Sequence, residues 1–145
     1  MNVVLALCAS GVAVDRFTNR LSIFNVIEQI QSPSFPAWVS EITFIVVLRK
    51  ENSEEPRFPT RALVQAGDNV IMETAVVVNF EGGNTTRQIL NFQGLPVRSP
   101  GDLTFRLLLP DREPATVTVP VFWTGGNVPA PAAPAAALSL PPLNP

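Results

Sequence analysis

The stretch EITFIVVLR, Glu41 to Arg49, decides the fold. Successive side chains of a β-strand point to opposite faces, so Ile42, Phe44, Val46 and Leu48 share one side while Glu41, Thr43 and Arg49 fall on the other. Ile45 and Val47 make that second side only partly polar. The same period of two recurs outward in both directions. It appears in Val70, Met72, Val76, Val78 and Phe80, in Leu103, Phe105, Leu107 and Leu109, and in Val117, Val119 and Val121 set against Thr116 and Thr118. No window carries a helical stripe.

Weaker strands are predicted over 3–8, 21–30, 62–66 and 86–92. In the second of these the apolar phase slips, from Leu21 and Ile23 to Phe24, Val26 and Ile30, which predicts a β-bulge or bend near Ile23 and Phe24. Pro120 has no amide hydrogen to give a ladder, so the last strand is expected at a sheet edge or with an irregular tip. Turn chemistry separates the strands. AlaGlyAspAsn at 66–69 and GluGlyGlyAsn at 81–84 suit hairpins, because their glycines accept positive φ; SerProGly at 99–101 and ProAspArgGluPro at 110–114 flank the penultimate strand. The polar stretch from Glu51 to Pro59, with three glutamates and two prolines, is expected to cross between sheets as an exposed loop. Seven or eight antiparallel strands in about 120 residues predict an all-β, Ig-like or C2-like sandwich of two packed sheets.

Composition divides the chain. Thr124 to Pro145 holds six of the fifteen prolines and no charge, which predicts a β-sandwich domain over 1–123 and an extended Pro/Ala-rich tail over 124–145. In polyproline II and extended conformers those residues reach on the order of 60 to 70 Å. Leu138, Leu140 and Leu143 add apolar anchors near its end, suited to a groove or sheet edge of another chain. With 46% hydrophobic and 15% charged residues the chain is too apolar for disorder. A net charge of −2 spread along the chain offers no footprint for nucleic acid or an anionic membrane. The opening MNVVLALCASGVAV has no Lys or Arg before its apolar run, and Leu7 stands where a lipoprotein cleavage site takes a small residue, so a first strand is expected rather than a leader. The lone Cys8 reads as a small buried hydrophobe, and a cytoplasmic setting follows.

The chemistry is sparse. There is no histidine and no tyrosine, which removes histidine-based triads, the commonest general base and histidine metal sites. No phosphate-binding glycine pattern occurs. Lys50, the only lysine, lies between Arg49 and Glu51 and reads as a solvated edge charge. Asp68, Asp102, Asp111, Glu81 and Glu113 sit in turns, and loop carboxylates converging at one end of a sandwich bind calcium. Aspartate is also common in turns for its own backbone bonding. Asn84-Thr85-Thr86 spells a glycosylation sequon, here read as a turn asparagine. Trp38 and Trp123 read as core or rim plugs, or, if exposed, as contact anchors.

The runs LSIFNVIEQI (21–30) and SFPAWV (34–39), with PGDLTFRLLLPD (100–111), are similar to an uncharacterised bacterial β-sandwich family with a "KLSLIGIFDRI…FPA"-like opening and a "PGEYRFEL-VDG"-like closing hairpin. The resemblance covers most of 1–123 and leaves the tail outside. Asn25 stands where glycine is usual and Arg20 where lysine is usual. The resemblance implies an intracellular β-sandwich and supplies no activity, because the family is a domain of unknown function.

The leading expectation is a non-enzymatic protein-interaction or structural module that needs no cofactor and self-associates, or holds a protein partner, through its tail or a sheet edge. Leu138, Leu140, Leu143, Trp38 and Trp123 are the expected partner-binding residues. The alternatives are a small-ligand or carbohydrate-binding sandwich that stacks its ligand on Trp38 or Trp123, a calcium-binding C2-like domain, and an enzyme with paired carboxylates such as Asp102 and Asp111.

Overall fold

A computed structural model describes residues 1–125. Its strands are β1 (Asn2–Val14), β2 (Leu21–Val26), β3 (Ile30–Ser32), β4 (Ala37–Arg49), β5 (Arg57–Ala66), β6 (Asn69–Asn79), β7 (Thr85–Val97), β8 (Gly101–Leu109) and β9 (Arg112–Trp123). One sheet runs β2-β1-β4-β7 and the other β3-β9-β8-β5-β6. The all-β, two-sheet expectation holds. Two details differ: nine strands form among the described residues, and β3 pairs with β9 in parallel.

The extra strand comes from 21–30. Register runs unbroken through Ile23 opposite Val12 and Phe24 opposite Gly11, so no bulge lies where the phase slip predicted one. The other expectation, a bend, fits: the chain turns next to Phe24, at Asn25, whose φ of 51° is left-handed, and β2 ends at Val26. It then crosses to the other sheet as β3. The slip in apolar phase is therefore a change of sheet: Ile27 and Ile30 pack against the core, while Phe24 and Val26 are exposed. Asn tolerates the left-handed region better than other non-glycine residues, which suits asparagine to this position.

One of the two expected hairpins forms, and the turn at 110–114 closes another. Ala66 pairs with Asn69 around Gly67, at φ 58°, and Asp68; Leu109 pairs with Arg112 around Pro110 and Asp111, at φ 52°. Residues 81–84 do not close a hairpin: they lie in the connection from β6 in one sheet to β7 in the other. The polar stretch after β4 does cross between sheets, but it ends before Arg57, and Phe58 is buried within β5. Pro120 lies beside the short β3, which pairs only with Val121 to Trp123, so the missing amide falls on an open stretch of β9.

The core fills the space between the sheets. Ile42, Phe44, Val46 and Leu48 of β4 face inward, as the alternation predicts, and meet Val64, Leu103, Phe105 and Leu107 from the other sheet. The rings of Phe44 and Phe92 each stand 5.8 Å from that of Phe105 in tilted contact. Each fully buried Phe or Leu contributes about 1.5–3 kcal/mol relative to exposure. Cys8 is buried on the inner side opposite Phe44, and burial pushes its thiol up to about 12. At the far end of β4 the Met1 ammonium pairs with Glu54, which Arg112 also approaches at 3.4 Å; the hydrogen bond from the ammonium is the main reason the Glu54 carboxyl lies below its usual range. Among the described residues, no helix is long and apolar enough to cross a membrane.

Candidate interaction surface

Because Phe44 and Cys8 point inward, their strand neighbours Leu5, Leu7, Ala9, Thr43, Ile45 and Val47 lie on the outer side of the β2-β1-β4-β7 sheet. The registers stack them in rows. Leu5, Val47 and Arg87 form one; Leu7, Ile45 and Ile89 the next; Val26, Ala9, Thr43 and Asn91 the third, and Phe24 stands beside Gly11. Ile45 is fully buried within this outer side and Thr43 is 3% exposed, so their neighbours alone cover the middle of the sheet. Phe24 (52% exposed), Val26 (53%), Leu5 and Ile89 (37% each) remain open to solvent around them. Glu41 and Asn91, hydrogen-bonded at 2.6 Å, and Arg87, which donates to the Asn19 carbonyl at 2.6 Å, form the polar border.

A second feature lies where the chain passes from β3 to β4 over 33–36. β1 pairs with β4 only from Thr43 onward, so among the described residues β7 flanks Ala37 to Ile42 on one side and no strand does on the other. This open edge and β3 enclose a crevice of about 370 Å³ with Ile30, Val39 and Val121 among its walls, and Trp38 stands on it 70% exposed. Trp123 is 61% exposed at the same end, its indole N–H donating to the Pro33 carbonyl at 3.2 Å. Neither indole plugs the core. Both are amphipathic rings at the surface, and the reason is positional: Trp38 lies on the outer side of its strand opposite Pro96, and β9 has run past the core by Trp123. Leu138, Leu140 and Leu143 lie outside the described residues.

The acidic turns divide between the two ends. Asp68 and Asp102 line one cleft with Arg98 between Pro96 and Gly101, and the Gly67 amide donates to the Asp102 carbonyl at 3.0 Å. Asp111, in the β8–β9 turn, lies at the other end of β8, so Asp102 and Asp111 do not form a carboxylate pair. Among the described residues no three His, Cys, Asp or Glu side chains stand together as metal ligands would. Lys50 is not simply solvated: its ammonium lies 5.9 Å from the centre of the Phe80 ring. Asn84 lies just before β7 and accepts from the Lys50 amide at 2.9 Å.

Phe24, Val26, Leu5 and Ile89 escape a reading by alternation, because each belongs to a different or weakly patterned segment and only pairing brings them together. The signal that does exist is the second side of Glu41 to Arg49, where Ile45 and Val47 interrupt the polar residues.

The chain belongs to a family described as "Family of unknown function (DUF6941)", which matches residues 4–122. That agrees with the resemblance to an uncharacterised domain. No curated protein and no solved structure matches it.

Proposed function

We propose that this chain is a non-enzymatic protein-interaction module that self-associates through the outer side of its β2-β1-β4-β7 sheet. The observation that carries the reading is the apolar face built from Leu5, Phe24, Val26 and Ile89 around the buried Ile45. Exposed, contiguous apolar surface bordered by polar groups is characteristic of contact sites. Four strands about 4.8 Å apart and a few residues of each give an area of roughly 300 to 400 Å². That is well below the roughly 800 Å² per partner of a stable interface, so the association is weak and reversible. An Ig-like or C2-like architecture is part of the proposal, supported by the alternation of hairpins and crossings between sheets, with the parallel β3–β9 pair as a departure. So are a domain ending at Trp123, where β9 stops, and a reducing, cytoplasmic setting, supported by the single buried thiol of Cys8.

Sedimentation of the full chain over a wide concentration range tests it. The expected result is a weight-average mass that rises with concentration and returns to the monomer value in Phe24→Asp and Ile89→Asp. A monomer at every concentration sinks the reading.

The exposure of Trp38 and Trp123 favours a second reading, a small-ligand or carbohydrate site with an indole as stacking platform. Tryptophan fluorescence titrated with mono- and oligosaccharides tests it; saturable quenching lost in Trp38→Ala supports it, and an unchanged spectrum with every sugar rejects it.

A further inference from the structure

Among the clefts formed by the described residues, three differ in charge. The one at the β6–β7 connection contains Glu81 and Arg87, and the one beside the β5–β6 turn contains Asp68, Arg98 and Asp102. Among the described residues, the crevice between β3 and β4 is lined by no charged one; its walls combine Ile30, Val39 and Val121 with Ser32, Pro36 and the indole of Trp38. It is also the place where β4 lacks a neighbour over Ala37 to Ile42. An unpaired strand edge presents backbone donors and acceptors to any extended chain, and natural proteins cover such edges.

The described chain stops at the mouth of this crevice. The Thr124 amide donates to the carbonyl of Ser32, a crevice residue, at 2.9 Å. A side chain added at Gly125 would start 2.6 Å from the Pro33 carbonyl, so the backbone leaves the body pressed against the β3–β4 connection. The twenty residues that follow, 126–145, carry no charge and six prolines. Proline restricts a segment to extended, polyproline-like backbone, whose rings and intervening alanines stack on aromatic side chains in grooves, at low entropic cost because the backbone is already extended. In extended backbone at about 3.1 Å per residue, the four steps from Gly125 to Pro129 span on the order of 12 Å and the five to Pro134 about 15 Å more, a length sufficient for the proline run to reach the crevice.

We propose that the β3–β4 crevice is a binding site for an uncharged, proline-bearing extended peptide, and that its resident occupant is the 129–134 segment of the same chain, laid across Trp38 and along the open edge of β4. The match is one of charge, reach and shape: an uncharged segment beside the uncharged crevice, prolines beside an exposed indole, and extended backbone beside an unpaired edge. The site is distinct from the outer apolar face, and it stands whether or not that face self-associates.

The test uses the full chain, isotope-labelled for amide spectra, with a nitroxide attached at Ala133→Cys; Cys8 is buried in the core and is left in place. The expected result is loss of most of the amide intensity at Ser34, Trp38 and Ser40, with the signals of Glu81 and Asp111 at the opposite end unchanged. The loss should persist on dilution, be absent when a nitroxide-labelled chain is mixed with an unlabelled isotope-enriched one, and largely disappear in Trp38→Ala while surviving in Trp38→Phe. A second variant, Pro131→Gly with Pro134→Gly, alters no residue of the body and is expected to weaken the effect as well. Crevice amides no more affected than those of Asp111 overturn the proposal, and broadening seen only between chains overturns the assignment to the same chain. Because the mass measurement with Phe24→Asp reads the apolar face alone, failure of either site leaves the other result intact.

Discussion

The outer sides of the two sheets differ although the same alternation builds both. On β3-β9-β8-β5-β6 many outward positions are polar: Arg61 pairs with Glu73 at 2.8 Å, Arg106 donates to Gln65 at 3.4 Å, and the hydroxyls of Thr104 and Thr118 face each other at 3.5 Å, while Val70, Val77 and Phe122 are exposed apolar exceptions near its margins. On β2-β1-β4-β7 the corresponding positions are apolar in the middle apart from the buried Thr43, and the other polar groups stand at the border. A sheet needs one dry face to fold. The second dry face adds little that the core does not already provide, and its exposure is a liability unless something covers it.

The largest effect expected from breaking this contrast is at Ile45. It is fully buried on the outer side, so Ile45→Ala should cost about 2–4 kcal/mol, as a core truncation does. Thr118→Ala, the comparable change on the other sheet, should stay within about 0.5 kcal/mol of wild type. Urea denaturation of both variants measures the difference, and equal costs would remove the distinction between the two faces. Next is Asn25, which takes a left-handed backbone between Phe24 and Val26 just before the chain changes sheet. Asn25→Val should cost about 1–3 kcal/mol through backbone strain, and Asn25→Gly should be neutral or stabilising. Thermal melts of the pair check it.

Cys8 marks the inner side of the same sheet. Its folded thiol is raised to about 12 from an ordinary 9.0, so the unfolded chain loses this proton first, and stability should fall as pH rises from about 9 towards 12. The sign is opposite to that of Glu54, whose folded carboxyl lies low: its contribution is present above the unfolded value and is lost on acidification through the folded one. With no tyrosine in the chain, the alkaline loss should shrink clearly in Cys8→Ala, measured as urea midpoints at neutral and alkaline pH. The smallest effect belongs to the exposed Arg61–Glu73 pair. Arg61→Ala should change stability by about 0.2–1 kcal/mol, and less at high salt.

Much of this was legible before any coordinates. Ile42, Phe44, Val46 and Leu48 face the core as their spacing requires, because period two is a property of the extended backbone itself. The hairpins around Gly67 and Asp111 follow from local turn chemistry. What was not legible involved choices between sheets. The 81–84 turn has hairpin residues yet crosses between layers, and 21–30 is two strands in two sheets and not one bulged strand. For the candidate surface, the exposure of Trp38 and Trp123 depends on where Pro96 and Pro33 lie, which no local pattern contains.

The sequence by itself determined that the chain is built of strands, which side chains a regular strand such as Glu41 to Arg49 turns inward, and that an uncharged proline-rich stretch follows the body; Val70, grouped by spacing with the inward Val76 and Val78, is exposed because the register shifts beside Gln65. Only the tertiary structure decided that Leu5, Phe24, Ile45 and Ile89 share a surface and that β4 leaves an open edge beside Trp38. The reason is that alternation sets the parity of a side chain within its own strand at no cost in sequence distance, whereas strand order and register are settled by pairings between residues far apart along the chain. An interaction surface assembled across four strands is therefore a property of the pairing, and no one segment carries it alone.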